Sequence, residues 1–438
     1  MSEHFAEDVT RGARAIVVVP DIRSAHLVDP DARLEEGRGL AKAISIVVAD
    51  SFIIPVRQVR PGTLFGAGQI ERIAAACEMA EAELVIVDGT LSAVQQRNLE
   101  EQLGRKIIDR TGLILEIFGE RAATAEGRMQ VELAHLDYQA GRLVRSWTHL
   151  ERQRGGYGFL GGPGETQIEA DRRMIRDRMA RLRNDLDQVR RTRALHRSRR
   201  ERAPWPLVAL VGYTNAGKST LFNSLTGATV MAEDLLFATL DPTMRAVSLP
   251  GLDKIILSDT VGFISDLPTQ LVAAFRATLE EVTAADLIIH VRDISSPAAD
   301  EQKIQVEKVL RDLDINTGSD TASQIPVIEA WNKWDLLSAQ RADELGTLAT
   351  SADVDTVAIS ATGGFGLAEL EQLITRHLTP DAEQHDFVIP ASDGKRIAWL
   401  HAHGDVLMER DGGTDQQGPL VNISVKLTPL QYGRFESL

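Results

Sequence analysis

Short apolar runs alternate with helically spaced apolar residues along the first third of the chain. Strands are predicted for the runs at 14–20, 52–59, 84–87 and 106–109. Helices are predicted at 69–82 and 92–103. A further helix is predicted between the first two strands, where Leu34, Ala41, Ile44 and Val48 recur at helical spacing. Strands that alternate with helices are typical of a parallel sheet. The pattern therefore predicts an N-terminal parallel α/β domain over residues 1–124.

The next segment has the pattern of a helical hairpin. A long helix is predicted over 125–150, and a glycine-dense stretch follows at 155–165. Apolar residues then recur every seven positions, at Ile168, Ile175, Leu182 and Val189, with Met179 and Leu186 between them. Such a repeat is typical of helices that pack as a hairpin or short antiparallel coiled coil. Residues 125–203 are therefore predicted to be a helical linker, which proline at 204 and 206 brings to an end.

Alternation of strands and helices resumes after the hairpin. Strands are predicted at 207–212 and near 244–249, 255–259, 287–292, 326–331 and 356–360. Helices are predicted from Lys218 and at about 270–283, 300–313, 339–346 and 367–378. A second α/β domain is therefore expected over 204–380. Residues 381–438 are short and strand-like, and they are predicted to form a small C-terminal α/β unit or a set of hairpins.

The composition is that of an ordinary globular protein. Of the 438 residues 43% are hydrophobic and 25% are charged, which argues against a disordered chain. The single cysteine, Cys77, excludes an internal disulfide framework and a thiolate metal cluster. No apolar run reaches the roughly 18 to 20 residues of a membrane helix, and the polar N-terminus is unlike a secretory signal. We therefore expect a cytoplasmic protein without membrane insertion, and a monomer, since nothing in the sequence requires a dimer.

Charge is distributed unevenly along the chain. The whole chain carries a net charge of −15, whereas the Arg-rich segment, residues 172–202, has thirteen arginines against four acidic residues. Its charge of +9 leaves −24 on the rest. Such a run is often a solvated helical face, with Asp185 and Asp187 pairing internally. The acidic background favours the other interpretation, a contact with an RNA backbone, which arginine suits through bidentate phosphate binding.

The first motif that carries chemistry is a glycine-rich loop. It reads Gly212-Tyr213-Thr214-Asn215-Ala216-Gly217-Lys218-Ser219, with Thr220 next. Because it follows an apolar strand and opens a helix, it has the setting of a G-x-x-x-x-G-K-[ST] phosphate-binding loop. Backbone N–H groups of such a loop wrap the phosphates, and the helix N-terminus adds positive potential. Lys218 is predicted to reach the β- and γ-phosphates, and the Ser219 hydroxyl to bind Mg²⁺.

Three further motifs each follow a predicted strand. In Asp259-Thr260-Val261-Gly262, the aspartate can hold a water on Mg²⁺ and the glycine N–H can meet the γ-phosphate. Asn332-Lys333-Trp334-Asp335 distinguishes guanine from adenine, because the last carboxylate can accept hydrogen bonds from guanine N1–H and the amino group. Ser360-Ala361-Thr362 would offer a backbone N–H to guanine O6. Motifs at successive strand ends are typical of ligand binding at that sheet edge, so the four together predict a GTP and GDP site.

The residues that carry these motifs resemble a known family. Segment 207–380 is similar to translation-factor-type P-loop GTPases, and the chain over about 15–380 resembles the HflX-type ribosome-associated GTPases. The second resemblance rests on DRTGLILEIFGERAATAEGRMQVELAHL at 109–136, the glycine linker at 155–169 and LFATLDPT at 236–243. It implies an N-terminal α/β domain, a helical linker, a G domain and a short C-terminal domain. It also implies binding to the large ribosomal subunit and ribosome splitting under stress.

The resemblance also implies a switch segment, Phe237-Ala238-Thr239-Leu240-Asp241, at the nucleotide. Thr239 would close on Mg²⁺ and the γ-phosphate and would act with Lys218 in hydrolysis. Thr243 is the competing candidate, and a surface-loop threonine is the alternative.

Two departures from the family pattern stand out. The first domain reads Phe65-Gly66-Ala67-Gly68-Gln69 where the family often has I-G-K-G-K, so both lysines of a proposed ATP or phosphate site are missing. In the linker, the family often has arginine at one of the two positions before PGE that are Gly161 and Gly162 here.

Phe263 stands where small signalling GTPases place a glutamine that orients the attacking water. A phenyl ring cannot make those hydrogen bonds, so we expect slow intrinsic hydrolysis that a partner, the large ribosomal subunit, raises. The leading hypothesis is a GTP hydrolase that contacts ribosomal RNA through the Arg-rich segment. The alternatives are a GTP-gated ribosome-binding module with incidental hydrolysis, and an RNA-dependent ATPase or helicase that uses the N-terminal domain.

Overall fold

The chain folds into two compact units. The computed structural model describes residues 12–22, 29–146, 163–200, 205–228, 236–237, 239–240, 242–265, 281–313, 315, 325–350, 355–415, 418–436 and 438. The first unit contains residues 1–201 together with 233–241 and 264–278, and the second contains the remainder. The division of the chain into domains at 124, 203 and 380 stays a prediction.

The first unit has a four-stranded parallel sheet, as predicted. Its strands are β1 (Arg14–Asp21), β2 (Val47–Pro55), β3 (Leu84–Val87) and β4 (Lys106–Asp109), in the order β2-β1-β3-β4. The prediction of β2 at 52–59 was wrong by about five residues. As an edge strand, β2 is only partly buried, and its polar residues Asp50 and Ser51 interrupt the apolar pattern from which its start could have been predicted. Val48, predicted as helical, lies in this strand, because the chain turns at Ser45 in the left-handed region.

Four helices accompany this sheet: α1 (Pro30–Ala43), α2 (Ala67–Met79), α3 (Ala93–Leu103) and α4 (Arg110–Arg121). Side chains of Asp29, Ser92 and Asp109 cap the starts of α1, α3 and α4. Helix α4 was not predicted, because it begins directly after β4 and its apolar residues continue the apolar run of the strand. Cys77 lies buried on α2 among apolar side chains.

The helical hairpin is formed by α5 (Ala125–Ser146) and α6 (Pro163–Arg200). Leu136, Met179 and Leu182 form a buried cluster between the two helices. Arg178 donates two hydrogen bonds to Glu132, with N–O distances of 2.6 and 2.8 Å, and so joins α6 to α5 at the surface. The glycine-dense stretch of the predicted linker up to residue 162, and the end of the predicted first helix at 147–150, lie outside the described residues.

The second unit contains a six-stranded sheet in the order β10-β9-β8-β5-β7-β6. Its strands are β5 (Leu207–Val211), β6 (Thr243–Leu249), β7 (Leu252–Asp259), β8 (Leu287–Asp293), β9 (Val327–Asn332) and β10 (Thr356–Ala358). Only β6 runs antiparallel to its neighbour. The helices are α7 (Lys218–Thr226), α8 (Ala299–Asp312), α9 (Ala339–Thr350) and α10 (Leu367–Leu378). Of the helix predicted at 270–283, only 281–283 is described, and it is helical.

The end of the chain adds a three-stranded antiparallel sheet with two helices. Its elements are β11 (Glu383–Pro390), α11 (Gly394–His403), β12 (Asp405–Asp415), β13 (Gly418–Leu427) and α12 (Pro429–Glu436), with strand order β11-β13-β12. Ile423, Val425 and Phe435 belong to its apolar core. The Gln431 amide donates to Gly251 O at 2.9 Å and so contacts the turn between β6 and β7. Within the described part of the chain, no helix combines the length and apolar character needed to cross a membrane.

Candidate functional site

The four motifs of the candidate site follow strands of one parallel sheet. The glycine-rich loop lies between β5 and α7, DTVG follows at the end of β7, and the NKWD and SAT motifs follow β9 and β10. Because β5, β7, β9 and β10 are parallel, these loops lie along the same sheet edge. The structure brings together Gly212–Thr220, Asp259–Gly262, Asn332, Lys333, Asp335 and Ser360–Thr362 within the second unit.

The glycine-rich loop turns sharply into helix α7. Gly217 caps the helix with a φ of 93°, a conformation that residues with a Cβ rarely adopt. A Cβ at Gly217 would also collide with the side-chain nitrogen of Asn332. The sequence therefore needs glycine here for two separate reasons, and the loop leads directly into a helix N-terminus, which is a place where backbone N–H groups can bind an anion.

Lys218 is a buried cation at the start of α7. Its side chain is 6% exposed, and Nζ donates to the carbonyls of Gly212 at 3.1 Å and Tyr213 at 2.8 Å. Burial lowers the pKa of Lys218 to about 8, and the nearby Asp259 carboxylate offsets part of that effect. The loop thus keeps one ammonium group among backbone dipoles, where its attraction for phosphate is weakly screened by water.

Ser219 and Asp259 meet behind this lysine. The Ser219 hydroxyl donates to Asp259 Oδ2 at 2.7 Å, and Asp259 has no exposed surface. A hydroxyl and a carboxylate are the hard oxygen ligands that Mg²⁺ accepts, directly or through water. These two groups therefore fit a magnesium ion that also contacts a nucleotide.

The DTVG loop is fixed to the glycine-rich loop by backbone hydrogen bonds. Thr214 N donates to Phe263 O at 2.7 Å, and Phe263 N donates to Gly212 O at 3.1 Å. A Cβ on Gly262 would approach Thr214 Cγ2 to 2.7 Å, so only glycine fits between the loops. The Phe263 ring is 1% exposed and belongs to the interior. No polar side chain occupies the position after DTVG, as the sequence shows.

Asn332 joins the two halves of the site. Its Nδ2 donates to Ala216 O of the glycine-rich loop at 2.8 Å, and its Oδ1 accepts from Ala361 N at 2.9 Å. The Ala361 amide, which belongs to the motif predicted to contact guanine O6, is therefore already engaged with Asn332. Asp335 is exposed on a 3-10 turn at Trp334–Leu336. The Ser360 hydroxyl accepts from Gly363 N at 3.0 Å and lies 3.3 Å from the Thr362 hydroxyl, which shapes the loop after β10.

The predicted switch segment belongs to the first unit. Phe237 is 2% exposed and packs edge-on against Phe118 of α4, with the ring centroids 4.6 Å apart. Leu240 is buried and Thr239 is half-buried, whereas Ala238 and Asp241 lie outside the described residues. The structure thus gives Phe237 a packing role that the sequence did not predict. The assignment of this segment to the nucleotide, including Thr239 as a metal ligand, stays a prediction.

A polar contact that the sequence did not predict lies just after the DTVG loop. Ser265 also belongs to the first unit, and Arg110 of α4 donates to its carbonyl at 2.7 Å and to its hydroxyl at 3.0 Å. The Ser265 hydroxyl donates to Glu36 at 2.8 Å, and Asp88 pairs with both Arg110 and Arg33. Arg110 is part of the DRTG run noted in the sequence, which is the signal that could have drawn attention to it.

Comparisons with known proteins found family models, relatives and a solved structure similar to this chain. Three family models match: "GTP-binding GTPase N-terminal" over 31–119, "GTP-binding GTPase Middle Region" over 121–200 and "50S ribosome-binding GTPase" over 207–333. The protein "GTPase HflX" of Magnetococcus marinus is 47% identical, over 92% of this chain and 90% of its own length. The protein of the same name from Escherichia coli K12 is 44% identical over 82% of each chain. A GTP-binding protein from Sulfolobus solfataricus, solved with GDP, is 23% identical with a TM-score of 0.44, over 84% of this chain and 99% of that chain.

The lowered pKa of Lys218 predicts how nucleotide affinity changes with pH. The ammonium form, which attracts phosphate, predominates below pH 8 and is lost above it. With a pKa of about 8, roughly one molecule in eleven remains protonated at pH 9, so GDP should bind about tenfold more weakly there than at pH 7. Fluorescence titration with labelled GDP measures this, with thermal unfolding of the ligand-free protein at each pH as the control. Equal affinity at pH 7 and pH 9 would contradict the prediction.

Proposed function

The chain belongs to the HflX family of GTPases. From this membership we propose that it is a Mg²⁺-dependent enzyme that binds the large ribosomal subunit and splits or rescues ribosomes under stress. As a GTPase it binds GTP and hydrolyses it to GDP. We propose that it acts as a monomer in the cytoplasm. The observation that carries the proposal is the joining of a phosphate loop to an NKxD loop through Asn332.

Guanine recognition is proposed for Asp335. Guanine presents an N1–H and an exocyclic amino group side by side, and a carboxylate accepts a hydrogen bond from each. Adenine lacks this pair of donors, so binding it would leave the carboxylate unpaired in the filled site, which is costly. Asn332 supports this selectivity indirectly, because it fixes the NKWD loop relative to the glycine-rich loop that holds the phosphates.

Hydrolysis in this site is proposed to depend on positioning and charge. Lys218 would neutralise the β- and γ-phosphates, and the N–H of Gly262 would hold the γ-phosphate in line for attack by water. Ser219, Thr239 and a water held by Asp259 would hold Mg²⁺, which when bound neutralises charge between the β- and γ-phosphates. The Lys218 ammonium would therefore move from the carbonyls of Gly212 and Tyr213 to the phosphates when nucleotide binds.

The group that orients the attacking water is proposed to come from a partner. Phe263 is buried and offers only its backbone groups, both of which are already paired with the glycine-rich loop. Groups supplied by a partner raise GTP hydrolysis by about 10³- to 10⁵-fold in other GTPases. The family model for residues 207–333 is described as a 50S ribosome-binding GTPase, which supports the large subunit as that partner.

Helix α6 is proposed as the RNA contact. Met179 and Leu182 face α5, whereas Arg173, Arg176 and Arg183 are exposed. Spacings of three and seven residues place these three arginines on one face of the helix. Arg178 differs from them, because Glu132 already binds its guanidinium. The side chains of 190 and 192–200 and all of 201–204 lie outside the described residues, so that part of the Arg-rich segment enters this proposal by its sequence alone.

Partner-dependent catalysis predicts a large effect of ribosomal subunits on turnover. Multiple-turnover phosphate release from GTP should rise at least about 100-fold when purified large subunits are added, since the partner completes the site. Small subunits are the control and should leave turnover near the intrinsic rate. Equal turnover with and without large subunits would contradict partner activation. Binding without such stimulation would indicate a GTP-gated binding module, and ATP turnover by this chain would indicate the RNA-dependent ATPase.

The proposed RNA contact predicts a selective loss on charge reversal. Replacing Arg173, Arg176 and Arg183 together by glutamate should weaken binding to large subunits at least about 100-fold and reduce its dependence on salt concentration. GTP affinity should stay within about twofold of the wild-type value, because the substitutions lie in the hairpin. Sedimentation with subunits across a salt series measures the first effect, and nucleotide titration measures the second.

A matched control separates charge from fold. Arg178→Gln with Glu132→Gln removes an ion pair between an exposed arginine and a half-buried glutamate on the same hairpin, and it should leave subunit binding within about threefold. If the triple variant bound subunits as well as wild type does, the RNA role of this face would be wrong.

A further inference from the structure

Resting on the proposed guanine-nucleotide site, we propose that Asp293 is a positioning residue that sets nucleotide affinity by holding the Lys333 side chain in place. Asp293 ends strand β8 and belongs to none of the four motifs. It lies beside the NKWD loop, since β8 and β9 pair in parallel with Asp293 opposite Asn332. Ile294 N donates to Asn332 O at 3.1 Å and extends this pairing past the end of the strand.

The two carboxylate oxygens of Asp293 have separate partners. Oδ2 lies 2.8 Å from Lys333 Nζ. Oδ1 accepts from Ser295 N at 3.1 Å and from Ser295 Oγ at 2.6 Å. The bonds to Oδ1 thus fix the carboxylate on its own turn, and Oδ2 faces the Lys333 ammonium group from a fixed position. A carboxylate held in this way restrains the lysine more than a mobile surface acid would.

Lys333 has a backbone conformation that needs such support. Its φ is 64°, in the left-handed region that residues with a Cβ seldom adopt. Trp334 N donates to Ile359 O at 3.2 Å and anchors the residue that follows. The backbone is therefore held on one side by the β10 loop, and the side chain is held at its far end by Asp293.

The burial of the ion pair suits a role at a ligand site. The Lys333 and Asp293 side chains are 25% and 17% exposed, so the pair lies between the open surface and the core. With the ammonium group of Lys333 held at Asp293, the four-carbon stem between it and the backbone can form an apolar wall for a purine ring. Asp335 would read the edge of the base, whereas Lys333 would cover its face. Asp293 would then contribute equally to the binding of any purine that Asp335 accepts or tolerates.

This division of roles predicts the behaviour of two diphosphates, GDP and IDP. IDP lacks the 2-amino group, so the ratio of the two affinities measures recognition by Asp335. Asp293→Asn should weaken the binding of GDP and of IDP by the same factor, about tenfold. This is the loss expected when one charge-assisted contact that orders the site is removed. The GDP-to-IDP ratio should stay within twofold of the wild-type ratio. KM for GTP should rise by a similar factor, with kcat at saturating GTP unchanged.

A double-mutant cycle tests whether Asp293 acts through Lys333. Lys333→Met should weaken GDP binding at least as much as Asp293→Asn, and the double variant should bind no more weakly than Lys333→Met alone. Asp300→Asn is the matched control, because its carboxylate lies in the same unit, contacts Arg292 and is 91% exposed. It should bind GDP as wild type does. Calorimetry or competition with labelled GDP gives all of these affinities.

Ser295→Ala keeps the Asp293 carboxylate and removes one of the hydrogen bonds that fix it. This variant therefore tests the role of Asp293 even if Asp293→Asn fails to fold. Ser295→Ala should weaken the binding of GDP and of IDP equally, by about threefold. Wild-type affinity in a folded Asp293→Asn variant, additive effects of Asp293→Asn and Lys333→Met, or a changed GDP-to-IDP ratio would each overturn the proposal. A wild-type protein that binds neither diphosphate would instead contradict the proposed function itself.

Discussion

The candidate site depends on the side-chain amide of Asn332. One end of this amide donates to the carbonyl of Ala216, and the other accepts from the N–H of Ala361, at 2.8 and 2.9 Å. Asn332 is 3% exposed, so each of these groups would be left unsatisfied in the interior if the loops moved apart. The absence of a side chain at Gly217 makes room for the amide. The glycine-rich loop and the NKWD loop, which lie over a hundred residues apart in the sequence, are thereby held in one arrangement.

The loops beside this amide suit a site that binds nucleotide by itself but needs a partner to hydrolyse GTP quickly. Lys218 is buried among carbonyls and Ser219 is bonded to Asp259, so the groups that we propose for phosphate and metal binding lie within one unit. Phe263, by contrast, is used to fix DTVG to the glycine-rich loop. Its side chain is buried and its backbone groups are already paired, which is consistent with the proposal that a partner supplies the group that orients the attacking water.

Much of the fold could be predicted, because its strands are short apolar runs that end in recognisable motifs. Strands such as β3 and β4, buried on both faces, were placed correctly from their apolar residues alone. Edge strand β2 and helix α4 were not, since one is partly polar and the other continues the apolar run of β4. The motif residues could be predicted as a candidate site because phosphate and guanine chemistry demand particular side chains in sequence. Arg110, Phe118 and Asp293 were missed, because their partners Ser265, Phe237 and Lys333 are brought to them only by folding.

We propose that one pocket holds a triphosphate and selects guanine through the NKWD loop. Titration calorimetry of the full chain with GTPγS and with ATPγS, both in the presence of Mg²⁺, tests it most directly. We expect one bound GTPγS per chain, held about a thousandfold or more tighter than ATPγS, because adenine leaves the Asp335 carboxylate unpaired. Equal affinity for the two analogues, or binding of neither, would contradict it.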